Sequence, residues 1–116
     1  MELNEFLRRL NDAPDSVAFA DTIAVIDTLY DFTPTTFRNG EQLNEAGQNN
    51  GSCKLFSFAR LYGLTQPQTL ACFGDYYRKD VLGNPDGTDH QNIRNFMKSG
   101  WEGVRFEGEA LKPKRA

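Results

Sequence analysis

The chain has 116 residues, 39% of them hydrophobic and 25% charged, with a formal net charge of −3. That length suits one domain across residues 1–116, and the apolar share can bury a core, which excludes global disorder. Its apolar runs last only a few residues, Ile23–Ile26 for example, where a membrane-crossing helix needs about 20.

Glu2, Glu5, Arg8 and Arg9 interrupt the apolar residues at the N-terminus, so no secretory signal is read there and the default compartment is the cytoplasm. The first 58 residues carry 9 acids against 4 bases, and the rest 7 acids against 9 bases. This is no concentrated basic patch, so nucleic acid is not expected as a partner. Nor is a membrane. The basic residues Lys112, Lys114 and Arg115 read as a solvated terminus.

Leu3, Phe6, Leu7 and Leu10 recur at helical spacing and predict an amphipathic helix over 2–12, ended by Pro14. Asp15 or Ser16 is positioned to cap a second helix running to about Leu29, with Phe19, Ile23, Ile26 and Tyr30 on its buried face.

Residues 33–51 break the pattern. They hold Pro34, three glycines and six amide side chains: Asn39, Gln42, Asn44, Gln48, Asn49 and Asn50. A loop this long is often functional. Asn39-Gly40 also matches a two-residue hairpin turn, pairing Thr35–Arg38 with Glu41–Asn44.

A third helix is expected over 52–62, with Leu55, Phe58, Ala59 and Tyr62 on one face and Gly63 ending it. Thr65-Gln66-Pro67-Gln68 has the capping-box pattern. It opens a fourth helix lined by Leu70, Phe73, Tyr77 and Val81 and stopped by Gly83, with Gly74 marking a close helix contact. Asn84-Pro85-Asp86-Gly87 reads as a turn. Thr88–Gln91 reads as a second capping box, opening a fifth helix that buries Ile93, Phe96 and Met97 and ends at Gly100. Val104–Glu107 alternates like a strand that can join the hairpin. The expected fold is α+β and mainly helical: about five helices packed on a small hairpin or three-stranded sheet, with the aromatics in one core.

Chemistry-bearing residues are few. Cys53 follows Gly51-Ser52 at the expected start of the third helix, where the dipole and Lys54 lower a thiol pKa. It reads either as a nucleophile or as a small buried hydrophobe. Neither Cys53 nor Cys72 belongs to a CxxC pair, so free thiols are expected in a reducing compartment, with one disulfide still open. His90 is the lone histidine, placed near the second position of the fifth helix, where the dipole keeps it neutral. A catalytic Cys53–His90 dyad would use Asn49 or Asn50 as orienting or oxyanion groups. Asp86 and Asp89 are candidate binding residues. With His90 they also offer metal-ligating types, although a turn and a helix start explain both. No metal or other cofactor is assigned. No phosphate loop, dinucleotide fingerprint or hydrolase motif is present. Tyr76 and Arg78 are free to form a binding edge, since Tyr77 is needed for the core face.

Longer stretches carry a resemblance. They are Asp21–Asp27 with Tyr30–Thr35, Asn44–Gly47 with Gly51–Lys54, Phe73–Arg78 with Asp80–Leu82, Pro85–Arg94, and Gly100-Trp101. Together, over roughly residues 18–107, they resemble the HopJ type III effector family. The resemblance implies a bacterial protein delivered into host cells by a type III secretion system. It assigns no catalytic residue. The sequence thus favours a small module acting through a protein partner, with a thiol-dependent enzyme or a small-ligand or metal site as alternatives, and it fixes no oligomeric state.

Overall fold

A computed structural model describes residues 2–114. Its architecture is a mainly helical α+β fold with two small antiparallel sheets. No helix among the described residues is long and apolar enough to cross a membrane.

Helix α1 spans Leu3–Asp12 and buries Phe6 and Leu10. Asp15 and Ser16 lie in a short 3-10 turn, Pro14–Ser16, rather than capping the next helix. Helix α2 begins later, at Phe19, because the Asp21 carboxylate accepts the Ala18 N–H at 3.1 Å. Its buried stripe is Thr22, Val25 and Ile26, so the helix is rotated from the expected face, and Phe19, Ile23 and Tyr30 are half-buried. The Thr22 hydroxyl is satisfied by the Cys72 carbonyl at 2.9 Å.

Strand β1, Tyr30–Phe32, pairs with β5, Leu111–Pro113. The sequence reading missed this ribbon. Lys112 and Lys114 are exposed, as expected, but their backbone is anchored: the Lys114 N–H donates to the Leu29 carbonyl at 2.9 Å. Arg115 lies outside the described residues.

The second sheet has the order β3-β2-β4, with β2 Phe37–Asn39, β3 Gln42–Asn44 and β4 Val104–Phe106. The expected hairpin and its third strand are present, but the turn is Gly40-Glu41, with Asn39 opposite Gln42. Gly40 has φ +63 and Glu41 has an ordinary φ, the pattern of a type II′ turn with glycine first. This one-residue shift turns Asn39 inward, beside Phe37.

Helix α3, Asn50–Leu61, ends at Gly63 (φ +63), where the Leu64 N–H donates back to the Ala59 carbonyl at 2.9 Å. Helix α4 opens with the expected capping box, Gln68 N–H to Thr65 Oγ1 at 3.2 Å and Thr65 N–H to Gln68 Oε1 at 3.0 Å. It covers only Gln66–Ala71. The continuous helix to Val81 does not form. Gly74 adopts φ +63, and a Cβ there would lie 2.6 Å from the Phe19 backbone N. The close contact expected at Gly74 is real, and it breaks the helix. Beyond it, Tyr76–Val81 winds as a π-helix, with the Leu82 N–H reaching the Tyr77 carbonyl at 3.0 Å.

Helix α5, Gln91–Ser99, buries Asn92, Ile93, Arg94 and Phe96, while Met97 is 38% exposed. Thr88 is no cap: the Gln91 amide donates to its carbonyl at 2.6 Å. His90 is the N-cap residue, not the second helical one. Phe56 sits at the centre of the core, with the rings of Phe37, Phe73, Phe96 and Trp101 all within 6.2 Å of its own.

Candidate functional site

Helices α3 and α5 begin on the walls of one open cleft of about 510 Å³. Asn49 precedes α3 at φ 52 and His90 precedes α5 at φ 50. Among the described residues they are the two non-glycine positions with positive φ, and both line this cleft. Such conformations persist only where the surroundings over-determine them.

At Asn49 a set of buried amides supplies that constraint. Asn44 on β3 and Asn92 on α5 form a reciprocal pair, each amide donating to the other's oxygen at 3.1 and 3.0 Å. The Asn49 amide joins them, donating to Asn44 Oδ1 at 2.7 Å. Asn39 on β2 donates to the Asn92 carbonyl at 2.6 Å, which ties sheet, loop and helix into one network. Asn39 Oδ1 is itself buried without a hydrogen-bond partner.

The π-helical segment fixes His90. His90 Nε2 lies 3.1 Å from Asp80 Oδ2. A carboxylate only accepts, so Nε2 carries the proton and, in the neutral ring, Nδ1 remains an acceptor. The Tyr76 ring sits 5.2 Å from the imidazole. Tyr76 and Asp80, four apart in the π-helix, thus hold the ring together. A row of rings continues from Tyr76 through Phe19, 5.3 Å away, to Phe73 at 6.2 Å. Gly51 makes room for this wall, since a Cβ there would come within 2.9 Å of Phe19 Cζ.

Of the residues singled out from the sequence, Asn49 and His90 meet in the cleft. Asn50 is exposed at the first position of α3. Asp89 does not line the cleft, although its Oδ2 lies 3.7 Å from His90 Nε2. Its other oxygen accepts from Arg94 at 2.6 Å, and that hydrogen bond holds the carboxyl below its usual range. Arg94 also donates to the carbonyls of Asn84 at 2.9 Å and Pro85 at 3.2 Å, so a buried guanidinium braces the loop that carries His90. Asp86 is exposed in that loop and does not line the cleft. Among the described residues no three His, Cys, Asp or Glu side chains are placed to hold a metal ion.

Cys53 faces away. It is 1% exposed, its Sγ lies 3.8 Å from the Thr35 carbonyl, and burial pushes its pKa up rather than down. Desolvation outweighs the helix dipole here. Cys72 is buried and free as well, its thiol pushed up to about 12 by burial. Arg78 donates to the carbonyls of Pro14 and Val17 and so ties the chain before α2 to the π-helix.

Sequence reasoning named Tyr76 but missed Asp80, Ser52 and Asn92. Spacing of four between Tyr76 and Asp80 was the available signal, but it has meaning only once the π-helix brings both to His90.

The comparisons agree with this architecture. No curated protein matches the chain. A solved crystal structure described as that of the unknown function protein VPA0580 is 54% identical. It superimposes with a TM-score of 0.96, the match covering 98% of this chain and 95% of that one. The model of the HopJ type III effector protein family matches residues 3–111, and the chain belongs to that family.

Proposed function

We propose that this chain is a small binding module that grips a partner protein through the cleft between the starts of α3 and α5. The observation that carries the reading is the convergence of Asn49 and His90, both left-handed, on one cleft. Tyr76, 45% exposed beside the imidazole, supplies an aromatic anchor of the kind that dominates interfaces. Membership in an effector family supports placing that partner in a host cell reached by type III secretion. A thiol-dependent enzyme built on Cys53 is disfavoured by the burial of its sulfur. Iodoacetamide is expected to label Cys53 no faster than the protein opens.

A photo-crosslinking residue in place of Tyr76 tests the cleft. It should yield a discrete adduct in host lysate that disappears when His90→Ala is added. The same group in place of the exposed Arg8 on α1 should not yield it. Adducts that are equal at both positions, or that survive His90→Ala in a folded protein, would overturn the proposal.

A further inference from the structure

The cleft between the starts of α3 and α5 differs in charge from other grooves of the surface. No Asp, Glu, Lys or Arg lines it, although 25% of the chain is charged. Four other grooves each hold such side chains, Asp75 with Arg78 in one and Arg60 with Glu109 in another. Asp80 and Asp89, the carboxylates nearest His90 Nε2, stay out of the cleft and are engaged by His90 and Arg94.

The polar side chains of the cleft keep acceptors free. The Asn49 amide donates to Asn44 and the Gln91 amide to the Thr88 carbonyl, which leaves Asn49 Oδ1 and Gln91 Oε1 to accept. His90 gives its Nε2 proton to the Asp80 hydrogen bond and keeps Nδ1 as an acceptor. Ser52 adds a half-buried hydroxyl. An anion would meet these lone pairs with no cationic side chain to replace its water. A cation would meet the positive ends of two helices with no carboxylate beside it. The chemistry that fits is neutral and rich in donors.

One wall is aromatic. Tyr76 is 45% exposed and meets the Phe19 ring edge-on at 5.3 Å, and both line the cleft. A sugar ring has the matching form. Hydroxyls surround its rim, and its face of C–H groups carries a slight positive charge that suits the negative face of an aromatic ring. An extended peptide turns successive N–H groups to opposite sides and has no such face. We infer that the cleft takes a neutral hexose unit carried by the partner, an inference that rests on reading the cleft as the partner-binding surface. Tyr76 stacks on the C–H face, and Asn49, Gln91 and His90 Nδ1 accept from the hydroxyls.

The full chain, labelled with nitrogen-15, is titrated with methyl glucoside, galactoside and mannoside, each also as its uronic acid and as its 2-amino form. A neutral hexoside should give saturable shifts at Asn49, Ser52, Tyr76 and His90, and its charged forms should bind about fivefold more weakly or worse. Tyr76→Phe should bind as well as the parent. Tyr76→Leu, still apolar but without a flat face, should bind about fivefold more weakly. Tighter binding of a charged form, or no shift with any neutral hexoside, would overturn the inference. In host lysate digested with glycosidases, the adduct of the photo-crosslinker at Tyr76 should disappear. An adduct that persists there undiminished would overturn the sugar and leave the protein partner standing. Sugar binding with no adduct from either lysate would overturn the partner and leave a free sugar as the ligand.

Discussion

The aromatic core around Phe56 and the amide network behind the cleft, buried at Asn39, Asn44 and Asn92, are built on opposite terms. In the core, Phe37, Phe56, Phe73, Phe96 and Trp101 meet through non-directional contacts between rings. In the network, Asn39, Asn44, Asn49 and Asn92 each depend on a particular donor meeting a particular acceptor. The core rewards any shape of the right volume. The network rewards one arrangement and penalises the rest, because an orphaned buried amide loses its water without replacement. The difference assigns bulk stability to the first region and, to the second, the placement of Asn49 and of the α5 residue Asn92, two positions after His90.

Breaking the core should cost most. Phe56→Ala is expected to lower stability by about 4 kcal/mol, the middle of the range for a fully buried ring, measured by urea denaturation. A loss below about 1 kcal/mol would show that the neighbouring rings collapse into the space.

Breaking the network should cost less energy but more order at the site. Asn92→Ala leaves Asn44 without its reciprocal partner, for an expected loss of about 2 kcal/mol. The amide resonances of Asn49 and His90 should move, while those around Phe56 stay in place. If the core resonances move equally, the two regions are not separable.

The smallest effect lies beside His90, at Asp89. Asp89 is held below the ordinary aspartate value of 3.8, chiefly by its hydrogen bond to Arg94. A depressed carboxyl contributes stability that is fully present above its unfolded value and is lost as pH falls through its folded one. Asp89→Asn should therefore reduce slightly the stability measured at neutral pH. The gap to the parent protein should close as pH falls below 3.8. A gap that stays constant with pH would show that the Asp89–Arg94 pair adds nothing through charge.

Local features of the sequence were legible where one segment decides its own structure. The α1 periodicity, the Thr65–Gln68 cap, the Gly63 stop and the β4 alternation all appear as read. The helix break at Gly74 was not legible, because glycine alone does not announce that the Phe19 backbone will press against it. Met97 was misassigned to the core for a similar reason: it fits the helical period, but no neighbouring element covers it. Of the candidate site, Asn49 and His90 were visible as residue types and their meeting was not. Of the two readings of Cys53, its burial favours the small hydrophobe, because depth in the core, rather than place in the helix, sets its acidity.

By itself the sequence determined the family, the mainly helical α+β class and most helix ends, since caps, glycine stops and apolar spacing act within one or two turns. The tertiary structure decided the hairpin register, the β1–β5 ribbon, the π-helix and the cleft. Each of these depends on contacts between residues far apart in the chain, such as Asn44 with Asn92 and Gly74 with Phe19. Only the folded chain brings such partners within hydrogen-bonding or van der Waals reach.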